Sequence, residues 1–379
     1  CATPEALEKS LYQFQSDHLG TYLPAEQVAL ASEIMPASSM QRDLLLASIK
    51  KPQTLENSIG YALELPIAVD IEKYQHSLRE LYQHYPILSA QLIALQRYQQ
   101  NQFYFLLQAQ NSAFDFIDLS QQALSESAIQ ESIKKLIYKP YAINSDALLQ
   151  HYLIKIDEQR FYTVLACHHA LLDGLSFTLH AYHLVSNYLA AVKNQPLSFA
   201  KNLYRSAIEN SLNTIDKPET VEYWTQQLQD CQPLNYKLVN GLTADQRSQA
   251  ILNDALVLSE SQYKNIRSFC KKEKITVALY FKALYSLLIR FYCQSQDNFY
   301  ISEFNNGRNR KQLTTMGCFF QRHLFIASHK HLLGSCSAFL QQIKNQQRAQ
   351  ASLQNLSLLK QQQLIKNPGL SFSYNYIYM

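Results

Sequence analysis

The 379-residue sequence predicts an α/β protein of two domains or lobes, an expectation resting on three observations. The chain is too long for one ordinary hydrophobic core. Its 47% hydrophobic and 17% charged residues are the balance of a packed globular chain. Along it, segments with apolar residues at helical spacing are mixed with short apolar or alternating runs of strand character.

The elements follow in order. Residues 1–32 are polar and helical in pattern, without a core face of their own, and read as a linker or leader. "MQRDLLLASIK" (40–50) spaces Leu44, Leu45 and Ile49 as a helix does, and "SIGYALEL" (58–65) reads as a strand. "DIEKYQHSLRELYQHYP" (70–86) is an amphipathic helix opened by Asp70 and stopped by Pro86. "LSAQLIAL" and "QFYFLLQAQ" read as two strands, and Ser125 is placed to cap a helix ending near Pro140. Residues 148–157 and 160–168 form a hairpin across Glu158-Gln159, and a long helix runs from Leu175 to about Asn194.

A second unit opens around residues 195–215. It holds a helix over 218–229 with the only tryptophan, Trp224, and a strand over 251–259. A helix begins at Ser259 or Ser261, and an apolar, buried helix spans 276–294. A strand over 298–304, a helix from "LLGSCSAFLQQIKNQQRAQ" and a final strand "LSFSYNYIYM" complete it.

Composition narrows the function classes. With 8 glycines and no G-x-G-x-x-G or G-x-x-x-x-G-K-[ST], nucleotide-binding glycine loops are not expected. A net charge of +4 implies no nucleic acid, and Lys271, Lys272 and Lys274 read as a solvated helix face. No run of about 18 apolar residues marks a membrane span. The 7 cysteines are odd in number, scattered and without metal spacing, so reduced thiols in a cytoplasmic protein are expected. The start at Cys1 without methionine reads as an excised fragment.

One stretch carries chemistry. "LACHHALLDGLSF" (165–177) brings an apolar strand to His168 and His169, then turns through Asp173-Gly174 into the long helix. Adjacent strand residues face opposite sides, so only one histidine can serve a given cleft while the other fixes the strand end. Histidine titrates near neutrality and suits proton removal from an amine, alcohol or thiol. Adjacent histidines cannot easily chelate one ion, and no third ligand stands at a familiar spacing, so no metal is expected. Asp173 can lock the loop through an arginine ion pair. Gly174 permits close backbone approach, and N–H groups opening the helix can stabilise an oxyanion.

"HHALLDG" resembles the signature of condensation domains of nonribosomal peptide synthetases, within the chloramphenicol-acetyltransferase-like superfamily. Further segments resemble that family in the same order: "PASSMQRDLLLA" with Gln41, "LYQHYPILSAQL", "KPYAINSDALLQHYLIKI", "EYWTQQL", "NNGRNRKQLTTMGCFFQRHLF" and "FSYNY". The resemblance covers residue 33 to the end. It departs where the second motif usually carries arginine, near Ser89 and Gln91. It departs again at Gln321, where asparagine is usual, and in lacking the proline expected soon after.

The resemblance implies two acetyltransferase-like lobes in a V-shaped pseudo-dimer with a central tunnel. The lobes would be 33–195, with the histidine loop, and 196–379, truncated at its C-terminal end. It implies an acyltransferase that forms an amide between a carrier-bound thioester and an acceptor amine. His169 would act as base or orienting group and Gly174 as a backbone donor, while His168 and Asp173 would be structural. Arg308, then Arg322, would pair with Asp173, and Ser176 would serve the oxyanion or cap the helix. No cofactor is implied on the domain itself. Substrates would ride on phosphopantetheine of donor and acceptor peptidyl carrier domains, with adenylation domains as neighbours. Three other readings share the loop: a free-standing acyl-CoA-dependent O- or N-acyltransferase, an epimerization domain, and a non-catalytic carrier-docking domain. The late D-F-G-W-G of plant-type acyltransferases is absent, and docking-only domains typically lose the second histidine, which is present here.

Overall fold

The computed structural model describes residues 33–97, 100–107, 114–143, 147–232, 234, 255–293, 298–328, 334–365 and 372–376. The leader reading of residues 1–32 lies outside them. The chain divides into two compact units. The first takes Cys1–Thr214 together with Asn306–Phe320, and the second takes Ile215–Asn305 and Gln321–Met379.

Among the described residues, the first unit carries two sheets. β2 (Ser58–Leu65), β7 (Arg160–His168), β6 (Leu149–Asp157) and β5 (Phe114–Asp118) are hydrogen-bonded in the order β2-β7-β6-β5. The β6/β7 and β2/β7 pairs are antiparallel and β5/β6 is parallel. β1 (Glu33–Pro36), β4 (Gln100–Leu107) and β3 (Gln91–Arg97) form a smaller antiparallel sheet. Among the described residues, this unit holds the helices α1 (Ser39–Lys50), α2 (Ile71–His84), α3 (Glu126–Ile137), α4 (Gly174–Val192) and α5 (Tyr204–Thr214).

β7 is buried along nearly its whole length because both of its faces are covered. Tyr162, Val164 and Ala166 pack with Ile129, Ile133 and Ile137 of α3. Phe161, Leu165 and Cys167 join a core with Leu78 and Leu81 of α2 and Leu184 of α4. That two-sided burial is why its sequence reads as an apolar run and not as an alternation. Helix starts follow the side-chain chemistry. Asp70 caps α2 by accepting from Lys73 N–H, Ser125 caps α3 by accepting from Ala128 N–H, and Ser38 with Gln41 forms a capping box on α1.

The second unit holds α6 (Pro218–Gln229), α7 (Glu260–Lys272), α8 (Val277–Cys293), α9 (Cys336–Gln350) and α10 (Leu358–Leu364). Its sheet runs β10 (Ser373–Tyr374), β8 (Phe299–Asn305), β9 (Gln321–Ala327). Trp224 is fully buried and its indole N–H donates to Leu353 O. Lys282 of α8 is buried beside Glu303, with Nζ 2.7 Å from the carboxylate and above the Phe325 ring.

Two expectations are corrected here. In the described part of 251–259, residues 255–259, no strand forms, and Leu256 and Val257 are 90% and 85% exposed. An apolar run with strand-like composition has found no ladder partner there. α8 is apolar but not buried all round, since Leu284, Leu288, Phe291 and Tyr292 lie exposed along one side. The final strand is also shorter than its apolar run, at two residues.

β2 reaches β7 closely at Gly60. A Cβ there would stand 2.1 Å from Leu165 O. Gly60→Ala is therefore expected to cost about 1–3 kcal/mol of stability through overpacking, read from the urea midpoint. An unchanged midpoint would mean the two strands separate without penalty.

Candidate active site

The site grows from the end of β7. The strand ends at His168, residues 169–173 form the loop, and Asp173 caps α4 by accepting from Ser176 N–H at 3.0 Å. The two histidines diverge, as alternation along a strand requires. His168 is buried, edge-on to Tyr141, whereas His169 is only partly buried.

Hydrogen bonds assign the protons on both rings. At His168, Nδ1 accepts from Ala170 N–H at 3.1 Å, so the ring proton sits on Nε2 and is donated to Ser48 Oγ at 2.9 Å. Burial, and next the charge of His169, push the His168 pKa down to about 4, so the neutral ring is the form this geometry holds. At His169, Nδ1 lies 2.9 Å from Leu172 O. A carbonyl only accepts, so Nδ1 carries the proton and the Nε2 lone pair is left for other work. The His169 ring lies 4.8 Å from that of Phe320.

The aspartate end is a closed cluster. Arg308 Nη1 donates to Asp173 Oδ2 at 2.7 Å and Nη2 to Oδ1 at 3.0 Å. The remaining guanidinium donors go to Thr315 O, Asn306 O, Gly317 O and Ser176 Oγ. Phe319 N–H donates to Asp173 Oδ2, and the Phe319 ring lies under the guanidinium at 4.6 Å. Gly317 sits at φ +152, and a Cβ there would strike the Phe319 and Tyr204 rings. Only glycine fits that turn of the chain around the ion pair.

Of the two candidate partners for Asp173, Arg308 occupies the position. Arg322 belongs to the second unit, on β9, and donates from Nε to Ser302 Oγ. Ser176 is corrected. Its hydroxyl is buried, stands 2.9 Å from Asp173 Oδ1 and 2.7 Å from Gly317 O, and accepts from Gly317 N–H. Those bonds leave it nothing to offer an oxyanion, and the capping side chain is Asp173. Gly174 opens α4, is exposed, and has open space where a side chain would stand. Its N–H is one of the first-turn donors with no acceptor inside the helix.

Of the residues that hold the histidines from behind, the sequence pointed to Gln41, through the family resemblance, but not to Ser48 or Asn57. Gln41 Nε2 donates to Ala170 O at 2.8 Å. Ser48 and Asn57 also bond there. The Gln41–Ala170 and Ser48–His168 contacts join positions more than a hundred residues apart, and no local pattern announces the Ser48 and Asn57 bonds. Among the described residues no group of three His, Cys, Asp or Glu side chains is arranged to hold a metal ion.

Comparison with known proteins bears on the family and the fold. The family model for the condensation domain matches residues 31–366. A plipastatin synthase of Bacillus subtilis (strain 168) is 24% identical over 208 residues, which is 54% of this chain and 8% of that protein. Bacitracin synthase 3 of Bacillus licheniformis is 20% identical over 265 residues, 70% of this chain and 4% of that protein. The chain thus spans under a tenth of the length of either relative. The first condensation domain of the calcium-dependent antibiotic synthetase, solved with a substrate analogue, superposes with a TM-score of 0.72 at 15% identity, over 92% of this chain and 82% of that one. The epimerization domain from the third module of tyrocidine synthetase B gives 0.70 at 16% identity, again over 92% and 82%. The fold is the chloramphenicol-acetyltransferase-like one that such domains share.

Two predictions follow from the electrostatics. Arg308→Lys is expected to lower the thermal midpoint and leave the loop more accessible to hydrogen exchange, because an ammonium cannot reproduce the two-pronged contact with Asp173. Retained midpoint and protection would show the pair to be replaceable by any cation. For pH, the folded-state pKa of His168 lies below its unfolded value near 6.5. Its contribution is full above about 6.5 and is lost as pH falls from there toward about 4; buried His180, at about 3, acts in the same sense. Urea midpoints should therefore fall between pH 7 and 5, less steeply in His168→Gln; a flat profile would contradict this.

Proposed function

Taking as premise that this chain belongs to the condensation-domain family, whose members are in general acyl-transfer, amide-forming catalysts, we propose that it joins a carrier-bound acyl or aminoacyl thioester to an acceptor amine. The observation that carries this reading is the bond from His169 Nδ1–H to the Leu172 carbonyl. It fixes one tautomer and keeps the Nε2 lone pair available on the partly buried face of the loop.

In the proposed step, the acceptor nitrogen attacks the thioester carbon and a C–N bond forms. His169 Nε2 takes a proton from that nitrogen as the tetrahedral oxyanion develops. The Gly174 N–H, at the positive end of α4, is the donor placed to meet that oxyanion. Collapse breaks the C–S bond, and the departing sulfur takes the proton back from Nε2, giving an amide and a carrier thiol. Asp173, already bonded to Arg308, is assigned no proton transfer, and His168 holds the strand end.

The domain is read as binding no cofactor of its own; the phosphopantetheine arms belong to donor and acceptor carrier domains. The relatives' much greater length supports carrier and adenylation domains as neighbours in one cytoplasmic assembly line.

The test is thiol release and product mass with acyl-carrier, acyl-pantetheine and acyl-CoA donors and amine or alcohol acceptors. His169→Ala is expected to lower amide formation from carrier-bound donors by about two to four orders of magnitude, with the fold intact. Near-wild-type turnover in that variant would remove the base assignment. Turnover with acyl-CoA alone would move the chain to the free-standing acyltransferases.

A further inference from the structure

One residue supports both histidines at once. Asn57 precedes β2, and its carbonyl accepts from His169 N–H at 2.8 Å, carrying the β2/β7 pairing one residue past the strand end. Its side-chain Nδ2 turns the other way, donating to Ser48 Oγ at 2.9 Å and to Leu44 O at 3.0 Å, both on α1. Ser48 Oγ in turn receives the Nε2–H of His168. The chain of bonds therefore runs from α1 through the amide of Asn57 to the main chain of His169, and through Ser48 to the ring of His168.

An asparagine that merely started a strand would bond its own backbone within a few residues. Here the amide reaches back 9 and 13 positions to a different element, and Asn57 and Ser48 are both buried. The loop backbone is thus tied to α1 by bonds between buried side chains.

We infer that Asn57 is a positioning residue for the reaction, with Ser48 as its relay: together they set where His169 stands relative to the reacting atoms. The inference rests on the proposed role of His169 as base. Without the amide, Ser48 and Leu44 O lose a donor, residue 57 is released from α1, and the His169 main chain shifts with it. The bond from Nδ1–H to Leu172 O is then strained or lost, and the second tautomer becomes populated. A displacement of about 1 Å at a catalytic group can cost about 100-fold in rate.

The experiment compares wild type, Asn57→Ala, Ser48→Ala, the Asn57→Ala/Ser48→Ala double variant, Ser48→Thr and His169→Ala in amide formation with an acyl-carrier donor, alongside imidazole nitrogen NMR of His169 and thermal midpoints. Asn57→Ala is expected to lower kcat by about 10- to 100-fold with KM nearly unchanged, and to mix the His169 tautomers. Ser48→Ala should do the same more weakly, Ser48→Thr should keep the wild-type tautomer and rate, and the Asn57 and Ser48 effects should be less than additive. Ser48→Ala, which deletes one hydroxyl, decides the matter should Asn57→Ala not fold. If His169→Ala is inactive while Asn57→Ala and Ser48→Ala keep wild-type kcat and nitrogen shifts, the inference is overturned. If His169→Ala keeps its turnover, the base reading falls instead, and the positioning inference is then decided by the nitrogen shifts: unchanged shifts overturn it.

Discussion

Asp173 and Arg308 stand 135 positions apart in sequence and form a bidentate ion pair inside the first unit. Burying two charges is costly unless every remaining hydrogen-bonding position is filled. Here the five guanidinium N–H groups have acceptors in Asp173, Thr315, Asn306, Gly317 and Ser176. Both carboxylate oxygens also take backbone N–H groups, from Ser176 and Phe319. The pair is therefore a geometric constraint more than a source of net stability: it permits one arrangement of the loop and of 306–320. It is also why 306–320 groups with the first unit even though the chain on either side of it builds the second.

The same aspartate caps α4, so one side chain sets both the ion pair and the direction of the helix that begins at Gly174. At the other end of the loop, His168 is fastened to Ser48 and Ala170, and His169 N–H to Asn57 O. A five-residue loop held at both ends has little freedom, and its internal bond from His169 Nδ1 to Leu172 O removes more. The ion pair closes the aspartate end of the loop, and the histidine end is closed by neighbours on β2 and α1.

Much of this was legible in the sequence. The strand, the paired histidines and the Asp-Gly turn were readable because a two-sided buried strand, a loop and a capped helix each leave local marks. Asp70 and Ser125 announced α2 and α3 for the same reason. Arg308 was reachable only through the order of motifs, which ranked it above Arg322 without distinguishing their surroundings. What Ser176 bonds to could not be read from its neighbours, because Gly317 lies 141 positions away. Asn57 and Ser48 left no mark, since an asparagine between two elements ordinarily signals a turn. In residues 255–259 the expected strand is missing and one side of α8 lies exposed, because apolar composition measures what can be covered, not what is.

The central claim is that the Asp173–Arg308 contact holds the histidine loop in its working geometry. A double-mutant cycle tests it most directly, with Asp173→Ala, Arg308→Ala and the double variant measured for unfolding free energy and for amide formation. The account predicts that each single variant loses most of what the double variant loses, with a coupling of about 2–3 kcal/mol in stability and matching loss of turnover. Losses that add to within about 0.5 kcal/mol, or single variants with unimpaired turnover, would contradict it.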